Sequence, residues 1–179
     1  MTITLRFLTM TSPIGDLMVA TSDSAVHVLD YDAYVTRMHE LLARRYGAHG
    51  YTLDVDAPGL DIRPQLAAYF AGDLHAVDQL VVDTGGTPFQ QRVWQALRTI
   101  AAGTTATYAM QAHRIGHPTA TRAVGRTNGL NPIAIILPCH RVVGSNGALT
   151  GYAGGLERKS WLLRHEGWSG VRVQSTLSL

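Results

Sequence analysis

Charge in this 179-residue chain is sorted rather than mixed. Residues 1–86 hold five arginines and no lysine against eleven aspartates and glutamates, a net charge of −6. Residues 87–179 hold nine arginines and one lysine against only Glu157 and Glu166, a net charge of +8. The overall +2 conceals this division. The change falls at Asp83–Thr84–Gly85–Gly86, where paired glycines favour a joint over a regular element. The sequence therefore predicts two units, 1–86 and 87–179. A basic unit of this kind suits an acidic partner, nucleic acid first. The same division also suits two halves that attract each other across an internal interface, and both readings can hold together.

Composition narrows the class. Apolar residues at 46% and charged residues at 16% are those of a folded globule. The single cysteine excludes a disulfide framework and a zinc site built on CxxC pairs. Apolar runs such as Ile133–Leu137 are far short of the roughly 18 residues a spanning helix needs. Met1–Pro13 alternates polar and apolar residues and has no continuous apolar stretch of leader length. The expectation is a protein of the reducing cytoplasm with no membrane partner.

The first half reads as strands followed by helices. Thr2–Thr9 and Asp16–Ala20 alternate around a Pro13–Ile14–Gly15 turn, with Ala25–Asp30 as a third strand. Tyr34–Arg45 has helical spacing. So has Ile62–Ala71, where Ile62, Leu66, Tyr69 and Phe70 fall at i, i+4, i+7 and i+8; Gly72–Asp73 should stop it. The second half restarts with Thr87 as N-cap, Pro88 at the first helical position and Gln90 completing a capping box. Phe89, Val93, Leu97 and Ile100 share a face of that helix, expected to run to Ala102–Gly103. Thr107 caps a helix ending at Ile115–Gly116, and His117–Pro118 opens a second, from Pro118 to Asn128, with Gly129 beyond it. Two short helices around a glycine turn, the second bearing Arg122 and Arg126, have the helix-turn-helix form. Helical hairpins also serve as plain core, but on a unit of charge +8 the form favours DNA.

The chemistry gathers after Asn131–Pro132. Ile133–Leu137 reads as a buried strand or extended segment, and Pro138 biases Leu137 away from helix. Cys139 then arrives at the end of a rigid buried element, followed by His140 and Arg141. Val142–Gly144 and Ala148–Thr150 flank Ser145–Asn146–Gly147 as a hairpin. A thiol must ionise to attack, and a nearby imidazole or guanidinium favours the thiolate. Neighbours in an extended chain point to opposite sides, so a Cys139–His140 bond requires a turn or a bridging water. An inert buried cysteine fits the local sequence equally well. Glu166 lies in the last turn of a helix from Leu156 to Gly167, where a carboxylate opposes the helix dipole by ~0.3–1 kcal/mol. It is either solvated, paired with Arg or Lys, or the acid that orients an imidazole. His113 and His117 are four apart, but Gly116 and Pro118 interrupt the helix that would pair them, so no metal site is expected.

Pro138–Cys139–His140–Arg141–Val142, preceded by Asn131–Pro132 and followed by Gly151–Tyr152–Ala153–Gly154–Gly155, resembles the O6-alkylguanine-DNA alkyltransferases, the methylated-DNA–protein-cysteine methyltransferases. Phe89–Trp94, Thr107–Tyr108 and Arg122–Gly125 match in the same order, so the resemblance covers about residues 87–167. Ser12–Gly15 and Tyr69–Gly72 extend it weakly through the first half, and the whole resembles the bacterial single-unit form. It implies an α/β (α+β) protein: a small antiparallel sheet with helices, ribonuclease H-like, then a mostly helical helix-turn-helix domain. It implies direct, single-use repair of DNA, in which Cys139 takes the alkyl group from guanine O6, with O4-alkylthymine a further substrate. His140 would accept the thiol proton through a water and Glu166 would orient His140. Tyr108 would help rotate the nucleotide out of the duplex and Arg122 would fill its place in the stack. Thr107, Ala123 and Arg126 would lie at the DNA. Asn131 would tie the helices to the active segment, and Pro138, Val142, Tyr152 and Ala153 would line or support the base pocket. The implied partner is double-stranded DNA carrying O6-alkylguanine, bound by a monomer able to assemble cooperatively, with no cofactor. Two positions depart from the family pattern: Ala101–Ala102 replaces a proline-containing turn, and Thr127 stands where an alanine-like residue is usual. A DNA-binding regulator with a structural or sensing Cys139, and a cysteine hydrolase, are the competing readings. The latter lacks a means of releasing the bound group.

Overall fold

The computed structural model describes residues 2–170. Strands β1 (Ile3–Met10), β2 (Leu17–Thr21) and β3 (Val26–Tyr31) are followed by helix α1 (Val35–Tyr46), strand β4 (Tyr51–Asp54) and helix α2 (Arg63–Phe70). After the joint come α3 (Pro88–Leu97), β5 (Ala106–Thr107), α4 (Tyr108–Arg114), α5 (Thr121–Gly129), a 3-10 turn over Cys139–Arg141, β6 (Val142–Val143) and α6 (Leu156–His165). The four-stranded sheet has the order β3-β2-β1-β4. Its first three strands are the antiparallel set expected, with Phe7 opposite Ala20 and Val19 opposite Leu29.

The fourth strand corrects that expectation. Tyr51–Asp54 pairs parallel to β1 through the α1 crossover, making the sheet mixed. Its apolar face is only Tyr51 and Leu53, half-buried against the α1-side core and alternating with exposed Thr52 and Asp54, and a parallel partner reached by a crossover leaves no turn signal. Every residue of β2 and β3 is buried, because the sheet is covered on both sides. Met38 and Leu42 of α1 pack with Leu5, Met18 and Val28 on one side. On the other, Leu8, Val19 and Leu29 join Leu66, Trp94, Ile136 and Leu162 in one large core drawn from both sides of Gly86.

The outer edge of β3 is sewn to later chain. Val26 N–H donates to Val81 O and Asp83 N–H to Val26 O; Leu29 N–H donates to Pro132 O at 3.0 Å and Ala134 N–H to Leu29 O at 2.8 Å. This removes an exposed edge and anchors the segment leading to Cys139. The contact between the halves thus combines apolar packing, backbone bonds and side-chain hydrogen bonds such as those of Arg37 to Asn131 and Tyr31 to Tyr152. Among the described residues every ion pair joins groups of the same half, so direct pairing does not consume the basic charge.

Four other expectations are corrected. Helix α3 stops at Leu97, where Thr99 and Ile100 tighten into i→i−3 bonds and the Thr99 hydroxyl takes the Ala96 carbonyl; Ile100 stays buried, so the apolar spacing outlasts the helix. Helix α5 begins at Thr121 rather than Pro118, after a turn closed by Ala120 N–H on His117 O. Ile133–Leu137 is buried but is not a strand: only Ile133 bridges Leu29, and Ala134–Ile136 turn, with Ile135 at φ 68°. Left-handed backbone at a β-branched residue is strained and persists only where packing fixes it. Gly144–Ala148 closes its turn, but Ala148–Thr150 does not continue as a strand, and β6 pairs parallel with β5 instead.

Candidate active site

The Cys139–Arg141 turn gives three side chains about 120° apart in place of the strict alternation of an extended chain. Cys139 is 8% exposed and His140 fully buried. Asn131, just past the end of α5, donates Nδ2–H to Leu137 O at 2.8 Å and to Cys139 Sγ at 3.1 Å, while its Oδ1 accepts Ile133 N–H at 3.0 Å. Arg37 of α1 holds Asn131 from behind: its Nη2 donates to Gly129 O at 3.1 Å and Asn131 O at 2.9 Å, and its Nη1 pairs with buried Asp30.

His140 and Glu166 meet directly, Nε2 to Oε1 at 2.9 Å. Arg141 grips the same carboxylate with Nε on Oε2 and Nη2 on Oε1, both at 2.8 Å, and gives Nη1 to Ile100 O at 2.6 Å. Glu166 is therefore not solvated: it meets both an arginine and an imidazole. Burial alone would raise the Glu166 carboxyl, but hydrogen bonds and charge from His140 and Arg141 outweigh it and hold the group well below the usual carboxylate range. An ionised carboxylate only accepts, so His140 Nε2 carries the proton. Nδ1 is left with a lone pair and no protein partner. Burial pushes the His140 pKa down, against the pull of Glu166. Burial likewise pushes the Cys139 thiol up, against the Asn131 N–H and the charges of Lys159 and Arg37. Both shifts favour the uncharged forms, thiol and neutral imidazole.

The remaining positions fall into two groups. Thr107 caps α4 by accepting Met110 N–H at 3.1 Å, and Tyr108, the first residue of α4, donates its hydroxyl toward Thr150 O at 3.2 Å and Gly151 O at 3.3 Å. On α5, Arg122, Ala123 and Arg126 face outward, while Val124, Thr127 and Asn128 are buried. Trp94 Nε1–H holds Thr127 O at 3.0 Å, and Asn128 Nδ2–H meets Gln111 Oε1 at 2.7 Å, locking α5 onto α3 and α4. Around the thiol, Tyr152 and Ala153 line a cavity of about 10 Å³ with Tyr31, Arg37, Asn131 and Cys139, room for about one water. The Tyr152 and Tyr31 hydroxyls meet at 2.7 Å, and a Cβ at Gly154 would overlap the Tyr31 ring. Pro138 and Val142 are buried beside the turn.

Four contributors escaped the sequence reading. Tyr69 donates to Glu166 Oε1 at 2.8 Å, Arg37 supports Asn131, Tyr31 closes the cavity, and buried Lys159 gives Nζ–H to Val142 O at 2.6 Å and Thr150 O at 2.7 Å. Tyr69 lies in the weakly matching Tyr69–Gly72 stretch, its one signal. Arg37 and Tyr31 carry none, since their partners lie 94 and 121 residues away, and Lys159 meets backbone carbonyls, which leave no mark in the sequence.

Comparison with known proteins identifies the family. The model of the family described as "6-O-methylguanine DNA methyltransferase, DNA binding domain" matches residues 88–168. The methylated-DNA–protein-cysteine methyltransferase of Salmonella typhimurium is 48% identical over 159 residues, 88% of this chain and 92% of the relative. That of Mycobacterium tuberculosis is 47% identical over 162 residues, 90% and 92%. The M. tuberculosis protein solved in complex with DNA superposes with a TM-score of 0.74 at 45% identity, covering 91% of this chain and 92% of that one. With identity near half over nine-tenths of the chain and the fold shared, the chain belongs to the methylated-DNA–protein-cysteine methyltransferases, the repair proteins of O6-methylguanine in DNA.

Proposed function

We propose that the protein acts once, transferring the alkyl group of O6-alkylguanine in double-stranded DNA irreversibly to Cys139 Sγ. One observation carries this reading: the only thiol of the chain is hydrogen-bonded by Asn131 on the turn that also commits His140 Nε2–H to Glu166. In the reaction the Sγ–C bond forms as the C–O6 bond breaks. The thiol proton passes through a water to His140 Nδ1, and the guanine anion released at O6, still held in the DNA strand, takes a proton from solvent water at N1, leaving hydroxide that the imidazolium neutralises. A thioether has no good leaving group, so each molecule repairs one lesion; O4-alkylthymine offers the same C–O bond to the same thiol.

A base inside a duplex is out of reach, and extruding it costs a few kcal/mol. Arg122 fills the vacated stack, Tyr108 aids the rotation, and Thr107, Ala123 and Arg126 contact the DNA. A cavity holding one water does not admit guanine, so Tyr152–Gly154 must move from Tyr31 to open the pocket that Val142 and Ala153 line, with Pro138 supporting it. The single thiol calls for a reducing compartment, the cytoplasm, and the arrangement asks for no cofactor and no second subunit. The test incubates the protein with duplex DNA carrying one O6-methylguanine and weighs the product. A gain of one methyl at Cys139, absent from Cys139→Ala, is expected. No transfer under reducing conditions overturns the reading, and product beyond one equivalent makes the protein a turnover enzyme instead.

A further inference from the structure

The acidic half reaches into the proton-accepting end of the site. Tyr69, in α2, is fully buried and donates its hydroxyl to Glu166 Oε1 at 2.8 Å. The same oxygen accepts from His140 Nε2 at 2.9 Å and Arg141 Nη2 at 2.8 Å, and Oε2 accepts from Arg141 Nε at 2.8 Å. Three donors thus converge on Oε1 and one on Oε2, so Tyr69, His140 and Arg141 compete for an oxygen with about two lone-pair positions. Burial and then the adjacent Glu166 charge push the Tyr69 ionisation far above the ordinary range, so the phenol keeps its proton and donates it to the carboxylate.

We infer that Tyr69 is a positioning residue of the alkyl transfer, whose hydroxyl on Glu166 Oε1 limits the basicity of His140 and keeps the Cys139–His140 pair neutral until a base is bound. The inference rests on the roles proposed above for Cys139 and His140. A carboxylate facing an imidazole alone would strongly favour the imidazolium, and with it a standing thiolate. Here Arg141 and Tyr69 draw on the same negative charge. A single-use thiol gains from this, because the thiolate is the form that stray electrophiles and oxidants attack.

The other charged and titratable groups around the pair are Lys159 and His165 of α6, Cys139 on the turn, and Tyr31 of β3. His165 stacks edge-on to Tyr69 at 5.2 Å and hydrogen-bonds the Tyr69 carbonyl at 2.8 Å. Replacing Tyr69 by Phe retains all of these and the ring packing, and removes one donor. Oε1 then turns more of its charge on His140, which should titrate at higher pH.

The experiment follows the 15N-labelled ring of His140 through a pH titration in the full chain and in Tyr69→Phe. In parallel it measures the pH dependence of benzyl transfer from free O6-benzylguanine, which needs no DNA. The expected result is an upward move of the His140 midpoint by about one pH unit, a tenfold change in its protonation equilibrium, with the acidic limb of the rate profile moving in the same direction. A midpoint that does not differ between the two proteins overturns the role of Tyr69 and leaves alkyl transfer standing. Failure of the wild type to transfer the benzyl group sinks the alkyl-transfer reading instead, while the His140 midpoints still decide the hydrogen-bond effect. Should Tyr69→Phe not fold, the 13Cζ resonance of Tyr69 in the wild type replaces it. A resonance that tracks the His140 titration supports the shared oxygen, and an invariant one overturns it.

Discussion

Lys159 carries an ammonium group into the core, where among the described residues no carboxylate meets it; its donors go to the carbonyls of Val142 and Thr150. Burial pulls its pKa from an ordinary 10.5 down to about 8, and the chief opposing influence is Cys139. A buried cation held at that cost is useful where an anion forms, and the thiol it faces is the group that must ionise. Lys159→Met should therefore move the Cys139 titration to higher pH. A move of about one pH unit would slow iodoacetamide alkylation near pH 8 by about tenfold. An unchanged pH–rate curve would leave Lys159 only its link between β6 and the loop at Thr150. The lysine also shows where the sequence stopped being legible. Asn131, Cys139 and His140 lie within ten positions and read as one motif. Tyr69 meets Glu166 across 97 residues, and Arg37 meets Asn131 across 94. No local spacing encodes such contacts; only the shared core brings them together.

Among the elements, those bounded by side-chain chemistry were legible and those bounded by backbone choice were not. Thr87 and Gln90 form the reciprocal capping box expected of them, and Thr107 caps α4. By contrast, α5 starts after Ala120 with no side-chain cap, so the Pro118 signal placed its start too early. Ile133–Leu137 advertises burial, yet an apolar run does not distinguish a strand from a turn once every side chain points into core. The inner face of α5 is fixed by Trp94, Gln111 and Asn128, which leaves Arg122 exposed for work outside the fold. Arg122→Ala should lower the second-order rate on duplex O6-methylguanine severely while leaving the reaction with free O6-benzylguanine near wild type. Comparing the two rate constants is the check, since equal losses on both substrates would assign Arg122 to folding.

At the scale of the molecule, sorted charge and shared core answer different needs. The halves are joined by apolar packing and by backbone bonds along β3, and the described ion pairs stay within each half, so the positive surface remains available for a polyanion. Side-chain hydrogen bonds also cross between the halves, from Arg37 to Asn131 and between Tyr31 and Tyr152, and at Glu166 α2, the Cys139 turn and α6 meet on one carboxylate. Because its folded pKa lies below its ordinary value of 4.5, the folded state releases that proton more readily than the unfolded chain does. The stabilisation is thus complete above about pH 4.5 and is lost as pH falls through the depressed folded value. Glu166→Gln removes the charge and leaves Arg141 buried without its partner, a change that costs about 3–5 kcal/mol where ion pairs are broken on one side. Urea unfolding at pH 7 should show that loss, and the gap between variant and wild type should narrow as the pH is lowered through the acid range. A gap that stays constant with pH would mean that Glu166 holds the two halves together by shape rather than by charge.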